Sequence, residues 1–492
     1  MAKKGKEKSD AVKGERKEKK SAKKVGASDK SSFSILKYFF VALIIAKIAM
    51  YSIFLYNVYV KFTHVPDLPN VDLNKWWGPN VTQEVDTSIR PYRIVFSDAM
   101  ETELRALFED YRNIIKKTKS FEVAGWTYGV NSEAFAQFFS HWLFKYEFSK
   151  RAKFLNKFNH FITNVQGLDI HFVHVKPEVD KNVKVYPLLL LHGWPGSVRE
   201  FFEAIPLLTS PRPGYDFVFE VIAPSLPGFI YSQAPTKPGL HPYQSAIILR
   251  NLMQRIGFKH YFVQGGGFGH TIGSNLATLF PNEVLGFHTN YPANLSKLSI
   301  LTWLLGAIWP TLVMENVNGL YPLTDKVANF LEESGYTHLQ RTKPDTIGIA
   351  LQDSPVGLAA YIVEKFVIFT DPALKNTIER SIDKYYDLDK LLDNVMLYWV
   401  SGSITTSMRM FKESAGGLGD DFDEIPTPVP TWVLKCKHEP IQFPDFMLRW
   451  KYPNLAGSTR VDFGGQFAAF ERPEEFTANV FKAVKAFVEV KK

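Results

Sequence analysis

Tyr261-Phe-Val-Gln-Gly265-Gly266-Gly267-Phe268-Gly269-His270 takes the chain from a short β-rich run into a cluster of glycines. It has the small-x-nucleophile-x-small layout of a nucleophile elbow, a strained strand-to-helix turn that exposes its central residue. The central residue here is Gly267, which has no side chain. A second stretch, Leu188-Leu-Leu-Leu-His192-Gly193-Trp194-Pro195-Gly196-Ser197, ends a buried strand in a tight glycine-rich turn. In such a turn backbone N–H groups converge on an anion or a carbonyl oxygen.

Outward from these two turns the pattern is that of an α/β sheet. Short β-rich runs stand at Ile170–Val175, Tyr186–Leu191, Asp216–Ala223, Tyr261–Gln264 and Val284–Asn290, several separated by helix-length segments. That alternation predicts a largely parallel sheet with helices on both faces. Two further strands, Thr431–Lys435 and Thr459–Phe463, follow an aromatic, helical stretch over 295–420. A helical insertion between two blocks of strands reads as a lid over the carboxyl ends of the sheet, where open α/β sheets place their ligands. The core therefore divides into 166–294 and 421–492. Residues 63–165 read as a mostly helical leader, with Ser97–Arg112 and Ser132–Phe148 as its clearest helices and Phe135, Phe138, Phe139 and Trp142 as a packing stripe.

The 492-residue chain carries a formal charge of +8, a value that first suggests a nucleic-acid or membrane-surface binder. Residues 1–30 hold eleven lysines and one arginine against five acidic residues, a net +7, so the charge belongs to a tail. The tail has no aromatic residue and almost no aliphatic ones, which predicts disorder and no specific nucleic-acid readout. An anchor over 31–62 follows it. Its 23 residues between Lys37 and Lys61 would span roughly 35 Å as a helix, against a hydrocarbon core of about 30 Å. Lys47 costs about 3 kcal/mol near the centre, while twelve Leu, Ile, Val and Phe residues return roughly 5 in total, so insertion wins. The polybasic side stays in the cytosol by the positive-inside rule, which places the large domain in a lumen, at the endoplasmic reticulum or another endomembrane. Protease protection of the tail in sealed microsomes would overturn that orientation. Two sequons, Asn80-Val81-Thr82 and Asn294-Leu295-Ser296, would be available there. A single cysteine, Cys436, excludes an intramolecular disulfide framework and any cysteine-rich metal site.

The chain resembles the microsomal-type epoxide hydrolases, including the related insect juvenile hormone epoxide hydrolases, over nearly everything after the tail. The resemblance rests on the anchor, the leader, VQGLDIHFVHVK (Val165 to Lys176), His192-Gly-Trp-Pro-Gly-Ser197 and Ser225-Leu-Pro-Gly-Phe229. It continues through Glu333-Ser-Gly-Tyr336, Asp353-Ser-Pro-Val-Gly-Leu-Ala-Ala-Tyr361 and Gly464-Gly-Gln-Phe-Ala-Ala-Phe-Glu471. It implies an α/β-hydrolase fold with a helical lid, the helical leader and one N-terminal transmembrane helix. No cofactor and no metal is implied.

In that family an elbow aspartate attacks an epoxide carbon to form an ester. A histidine paired with an acid activates the water that cleaves it, and two lid tyrosines donate to the epoxide oxygen as it becomes an alkoxide. Carried over residue by residue, Gly267 stands at the nucleophile position, Gln466 at the histidine, Glu439 at the acid, Tyr336 at one tyrosine and Phe411 at the other. His192, Gly193, Trp194, Pro195 and Phe268 line the ligand pocket or the oxyanion turn. Glycine cannot form an ester, and the amide of Gln466 cannot take a proton near neutral pH. His270 and His438 lie nearby in sequence and read as structural.

The resemblance with these substitutions implies a membrane-anchored scaffold that is inactive by the family mechanism. It would bind an apolar ligand (an epoxide, lipid or terpenoid-like molecule) or a protein partner beneath the lid, and would contact membrane lipid. A second reading is an active epoxide hydrolase that adds water directly, with Glu439 as base and Tyr336 as acid. A third makes the domain an interaction module for another membrane protein.

Overall fold

The computed structural model describes residues 35–80, 84–117, 119–313, 320–376, 386–415, 422–439 and 442–490. The basic tail, the Val81-Thr82 half of the first sequon and the 420/421 boundary lie outside them. Two units are present, one ending at His64 and one running from Val65. In the first, helix α1 (Ile35–Thr63) has 29 residues, a mean hydropathy of 2.1 over its most apolar window and none of that window buried. At 1.5 Å per residue it reaches roughly 43 Å, long enough to cross a bilayer with some tilt.

The second unit is organised on a nine-stranded sheet. In chain order its strands are β1 (Arg90–Tyr92), β2 (His160–Val165), β3 (Leu168–Val175), β4 (Lys184–Leu191) and β5 (Phe217–Pro224). They continue with β6 (Tyr261–Gly265), β7 (Val284–Thr289), β8 (Thr431–Lys435) and β9 (Leu455–Arg460). The spatial order is β1-β2-β3-β5-β4-β6-β7-β8-β9. From β5 through β9 every neighbouring pair is parallel, while β1, β2 and β3 form an antiparallel extension. Leu188–Leu191 and all of β6 are buried, as a parallel strand covered on both faces demands.

Helices α2 (Asp98–Lys117), α3 (Ser132–Phe144) and α4 (Phe148–Leu155) form the leader. Asn131 caps α3 by accepting from the N–H groups of Glu133 and Ala134, and Phe135, Phe138, Phe139 and Trp142 are buried together. The sheet is covered by two helix pairs. Helix α5 (Ala204–Thr209) packs with the C-terminal helix Pro473–Val490, and α6 (Pro242–Ile256) packs with α7 (Phe268–Leu279). Pro242 opens α6 at its first turn and Gly257, at φ 109°, closes it with a left-handed cap.

Among the described residues seven helices lie between β7 and β8: α8 (Lys297–Gly306), α9 (Leu323–Glu333), α10 (Gly335–Thr342), α11 (Pro344–Asp353), α12 (Pro355–Thr370), α13 (Leu388–Ser401) and α14 (Ile404–Glu413). All seven fall within 295–420.

Three expectations need correction. The leader, read as mostly helical, also supplies two strands of the main sheet, β1 and β2, beside its three helices. The overlooked signal is Gln166-Gly167, at φ 53° and 84°, which joins β2 to β3 as a tight hairpin turn between two apolar runs. Strand β9 begins at Leu455, four residues before the expected start, because the register pairs Leu455 with Thr431. The sequon at Asn294 is not on the surface. Asn294 is 3% exposed, its Nδ2 donates to Met447 O (2.8 Å) and its Oδ1 accepts from Ser296 N (3.1 Å).

Candidate active site

Parallel pairing of β4 with β6 matches Leu188 to Phe262 and Leu191 to Gly265, so both strands end level. The two glycine-rich turns therefore meet. A Cβ added to Gly193 would stand 3.1 Å from Gly266 O and 3.4 Å from Gly267 Cα, so the two turns are in close backbone contact. Gly267 itself precedes α7 at φ 53°, ψ −125°, a conformation that side chains rarely adopt outside strained turns. Its missing Cβ would point at Gln466 Nε2, 3.3 Å away. The elbow geometry is thus present without a nucleophile on it.

Gln466 sits in the loop after β9. Its Nε2 donates to Trp194 O (3.3 Å), its backbone N–H donates to Phe369 O, and Asn290 Nδ2 donates to its carbonyl (3.0 Å). A glutamine here ties the loop to the turn as a donor, where the corresponding base would have to accept. Glu471 braces the same loop by accepting from Gly465 N (3.0 Å) and Phe467 N (3.2 Å).

Glu439 follows β8 and is 5% exposed. Among the described residues neither of its carboxyl oxygens has a hydrogen-bond partner. Burial, with the negative charge of Glu471 adding to it, pushes its carboxyl up to about 8. Glu200, one turn beyond Ser197, is likewise raised to about 8 by burial, and Glu471 to about 7. Neither was singled out from the sequence, although both belong to the stretches that surround the quoted turns. Behind the elbow, Glu200, Gln264, Gly266, Asn290 and Gln466 line a cavity of about 10 Å³, the size of a single water.

The titration of Glu439 has a measurable consequence. In the unfolded chain this carboxyl ionises near 4.5, whereas in the folded chain it keeps its proton to about 8. Between those values the folded state binds more protons, so stability from this group is full below the lower value and is lost as pH rises through the upper one. Glu439→Gln is expected to match the parent near pH 3.5 and to exceed it at pH 8.5 by up to roughly 4 kcal/mol in denaturant unfolding. Equal differences at both pH values would show that Glu439 ionises normally.

The lid brings Tyr336 and Phe411 together over the turn. Trp194 stacks on Tyr336 (centroids 5.4 Å, 9°), meets Phe411 edge-on (5.4 Å) and contacts Tyr361 (6.0 Å). Phe268, the residue after the elbow glycine, packs edge-on against Phe411 (4.7 Å). Burial raises the Tyr336 hydroxyl to about 12, so it is a hydrogen-bond donor across the physiological range. Phe411 offers no donor. Tyr361, which was quoted only as part of a motif, is a third tyrosine at this ring cluster and accepts from Gln340 Nε2.

His192 faces away from this space. Leu226 N–H donates to its Nε2 (3.2 Å) and its Nδ1–H donates to Gly193 O (2.9 Å), and burial lowers the ring to about 4, so it braces the turn as a neutral imidazole. Gly193, Trp194, Pro195 and Phe268 are at the turn and elbow as the sequence places them. His270 is buried with Nδ1 at Thr289 Oγ1 (2.9 Å) and Nε2 near Tyr452 Oη (3.3 Å). His438 lies 3.7 Å from Asp371, outside this cluster of rings. No group of three His, Cys, Asp or Glu suited to a metal occurs among the described residues. A cleft of about 510 Å³ opens on the leader around Glu101, Tyr146 and Lys153 and shares no residue with the elbow or the lid.

Comparison with known proteins agrees with this geometry. Residues 89–201 match the epoxide hydrolase N terminus family and residues 186–316 the alpha/beta hydrolase fold. The chain is 46% identical to juvenile hormone epoxide hydrolase of Bombyx mori, covering 87% of this chain and 93% of that one. It is 38% identical to epoxide hydrolase 1 of Sus scrofa, over 83% and 91% of the two chains. The crystal structure of the Bombyx mori enzyme superimposes with a TM-score of 0.82, covering 86% of this chain and all of the other.

Proposed function

The chain belongs to the epoxide hydrolase family, and from that premise we propose that it is a membrane-anchored member that no longer hydrolyses epoxides and instead binds an apolar ligand, or a protein partner, beneath its lid. The observation that carries this is the elbow: a bare Cα at Gly267, faced by an amide that donates to Trp194 O. The family's chemistry needs a carboxylate there and a base beside it. The remaining groups suit binding. Trp194, Phe268, Phe411 and Tyr336 present apolar rings, and the hydroxyl of Tyr336 supplies a donor. The relatives are named for acting on juvenile hormone or on epoxides, so an apolar epoxide or terpenoid-like molecule is the ligand class proposed.

The raised carboxyl of Glu439 favours one competing reading, direct attack of water with Glu439 as base and Tyr336 as acid. Because Glu439 holds its proton to about 8, that activity would climb with pH toward that value. The purified chain, incubated with aryl and aliphatic epoxides from pH 6 to 9, is expected to form diol only at the uncatalysed rate. Diol formation above that rate, abolished by Glu439→Gln, would establish the competing mechanism.

For topology, the proposal keeps the tail in the cytosol and the large domain in the lumen of the endoplasmic reticulum or another endomembrane. Asn80 is exposed and Asn294 is enclosed, so a lumenal domain presents Asn80 as its glycan acceptor.

A further inference from the structure

We propose that the outer face of the lid, formed by α8, the turn Pro310–Leu312 and α9, is a second membrane-docking surface that beds into the headgroup–acyl boundary of the bilayer. The proposal rests on the reading that α1 spans that bilayer.

Helix α8 and its continuation, from Leu295 to Val313, contain one charged residue, Lys297, and no acid. A helix that is apolar all round is normally enclosed, in a protein core or in lipid. This one is not enclosed by its own chain. Leu304 and Leu305 are 48% and 43% exposed, and Ile308 and Trp309 are 83% and 67% exposed. In α9 no residue is buried, and Phe330 and Leu331 are more than half exposed. The two helices are tied together. Tyr321, just before α9, donates its hydroxyl to Trp303 O in α8 (2.7 Å), and Trp303 Nε1 donates to Leu320 O (3.2 Å).

The face extends onto the leader. Trp126 N–H donates to Lys375 O (2.6 Å), and Lys375 pairs with Glu332 (3.0 Å) and Glu333 at the end of α9. Phe121, Val123 and Tyr128, on the same stretch of the leader as Trp126, are exposed as well. Exposed apolar surface of this kind marks an interaction site.

Its composition and its place in the chain identify lipid as the occupant. The domain begins at Val65, two residues after α1 ends, so an apolar face meets the bilayer without a separate association step. Across Leu295–Val313 a tryptophan at the rim, a lysine and no acid make the composition that headgroups favour; α9 adds Asp325, Glu332 and Glu333, of which the last two pair with Lys375. A lid bedded in lipid would also receive an apolar ligand directly from the membrane.

The native Cys436 is fully buried, so single surface cysteines can be labelled in the full-length chain. Leu305→Cys, Ile308→Cys and Phe330→Cys would each carry an environment-sensitive nitrobenzoxadiazole dye in vesicles of phosphatidylcholine and phosphatidylserine. Ser52→Cys reports on the anchor and Lys150→Cys, on the exposed leader, reports on water. The expected result is loss of emission at 305, 308 and 330 with doxyl-labelled lipid, resistance to iodide, and the opposite at 150. Should these sites quench with iodide like 150 while 52 quenches with lipid, the docking proposal fails and the anchor stands. A failure of 52 itself would refute the anchor. Protection from both quenchers would mean that a protein covers the face, which also overturns the proposal. Ile308→Glu with Trp309→Glu should abolish lipid quenching at 330 without changing the circular dichroism.

Discussion

Gly267→Asp combined with Gln466→His is expected to raise diol formation from an epoxide by roughly 10³-fold or more over the parent chain. The backbone already holds the elbow at φ 53°, and the contacts within 4 Å of an added Cβ are Gln466 Nε2 and Gly193 Cα. The first is the end of a side chain that the second substitution replaces. An aspartate in this strained conformation costs about 1 to 3 kcal/mol, within what a domain of this size tolerates, so the variant should fold. The two groups act as a unit, and neither alone is expected to give turnover. Gly267→Asp alone has a different signature. Its carboxylate attacks an epoxide carbon, the carbon–oxygen bond of the ring breaks, and the alkoxide takes a proton from Tyr336. With no base to activate water, the ester persists and appears as the mass of one epoxide added to the chain. Adding Phe411→Tyr supplies a second donor to the alkoxide, for a further gain of about 10²-fold. If the triple variant forms neither ester nor diol, the space beneath the lid does not admit an epoxide, and the ligand-binding proposal falls with it.

Asp393→Ala should cost about 3 kcal/mol or more of stability, one of the largest losses available from a single side chain in this protein. Asp393 is fully buried on α13. It accepts from Arg199 Nε (2.8 Å) beside the catalytic-type turn, from Arg151 Nε (2.8 Å) on α4, and from Tyr146 Oη (3.1 Å). Its removal strands two guanidinium groups, each left with one carboxylate: Arg199 keeps Glu203 (2.8 Å) and Arg151 keeps only a longer contact to Asp389 (3.7 Å). The neighbouring contacts tie the same helix to the turn. Ser197 Oγ donates to Asn394 Oδ1 (2.7 Å), Asn394 Nδ2 to Pro195 O (2.8 Å) and Tyr398 Oη to Gly196 O (2.8 Å). Denaturant unfolding of the detergent-solubilised chain measures the effect. Arg151→Met added to Asp393→Ala should recover part of the loss, since it removes one stranded charge. A loss below about 1 kcal/mol would show that Glu203 and the remaining hydrogen bonds are enough.

Most strands of the parallel block were legible as short apolar runs ending near a glycine, proline or histidine, and Leu188–Leu191 is buried throughout as such a run requires; β9, LAGSTR, is the exception. Strand β2 escaped because HFITNV is neither strictly alternating nor wholly apolar. Its place depends on pairing with β3 through the Gln166-Gly167 turn.

At the site, the absence of a carboxylate at 267 and of a basic nitrogen at 466 was readable from residue identity, since no fold can give glycine a carboxylate or glutamine a basic nitrogen. What those positions face was not readable. That His192 braces the turn as a neutral ring, that Glu439 is left unpaired among the described residues, and that Glu200 and Glu471 hold protons beside the elbow all follow from burial. Burial depends on which segments the sheet order brings together. The exposed apolar lid is the same lesson from the opposite side. Composition alone does not say whether α8 is enclosed, and only the tertiary structure shows it uncovered. Side-chain chemistry is a property of the residue, whereas solvation and proximity belong to segments far apart in the chain, and it is these that decide what the remaining groups can do.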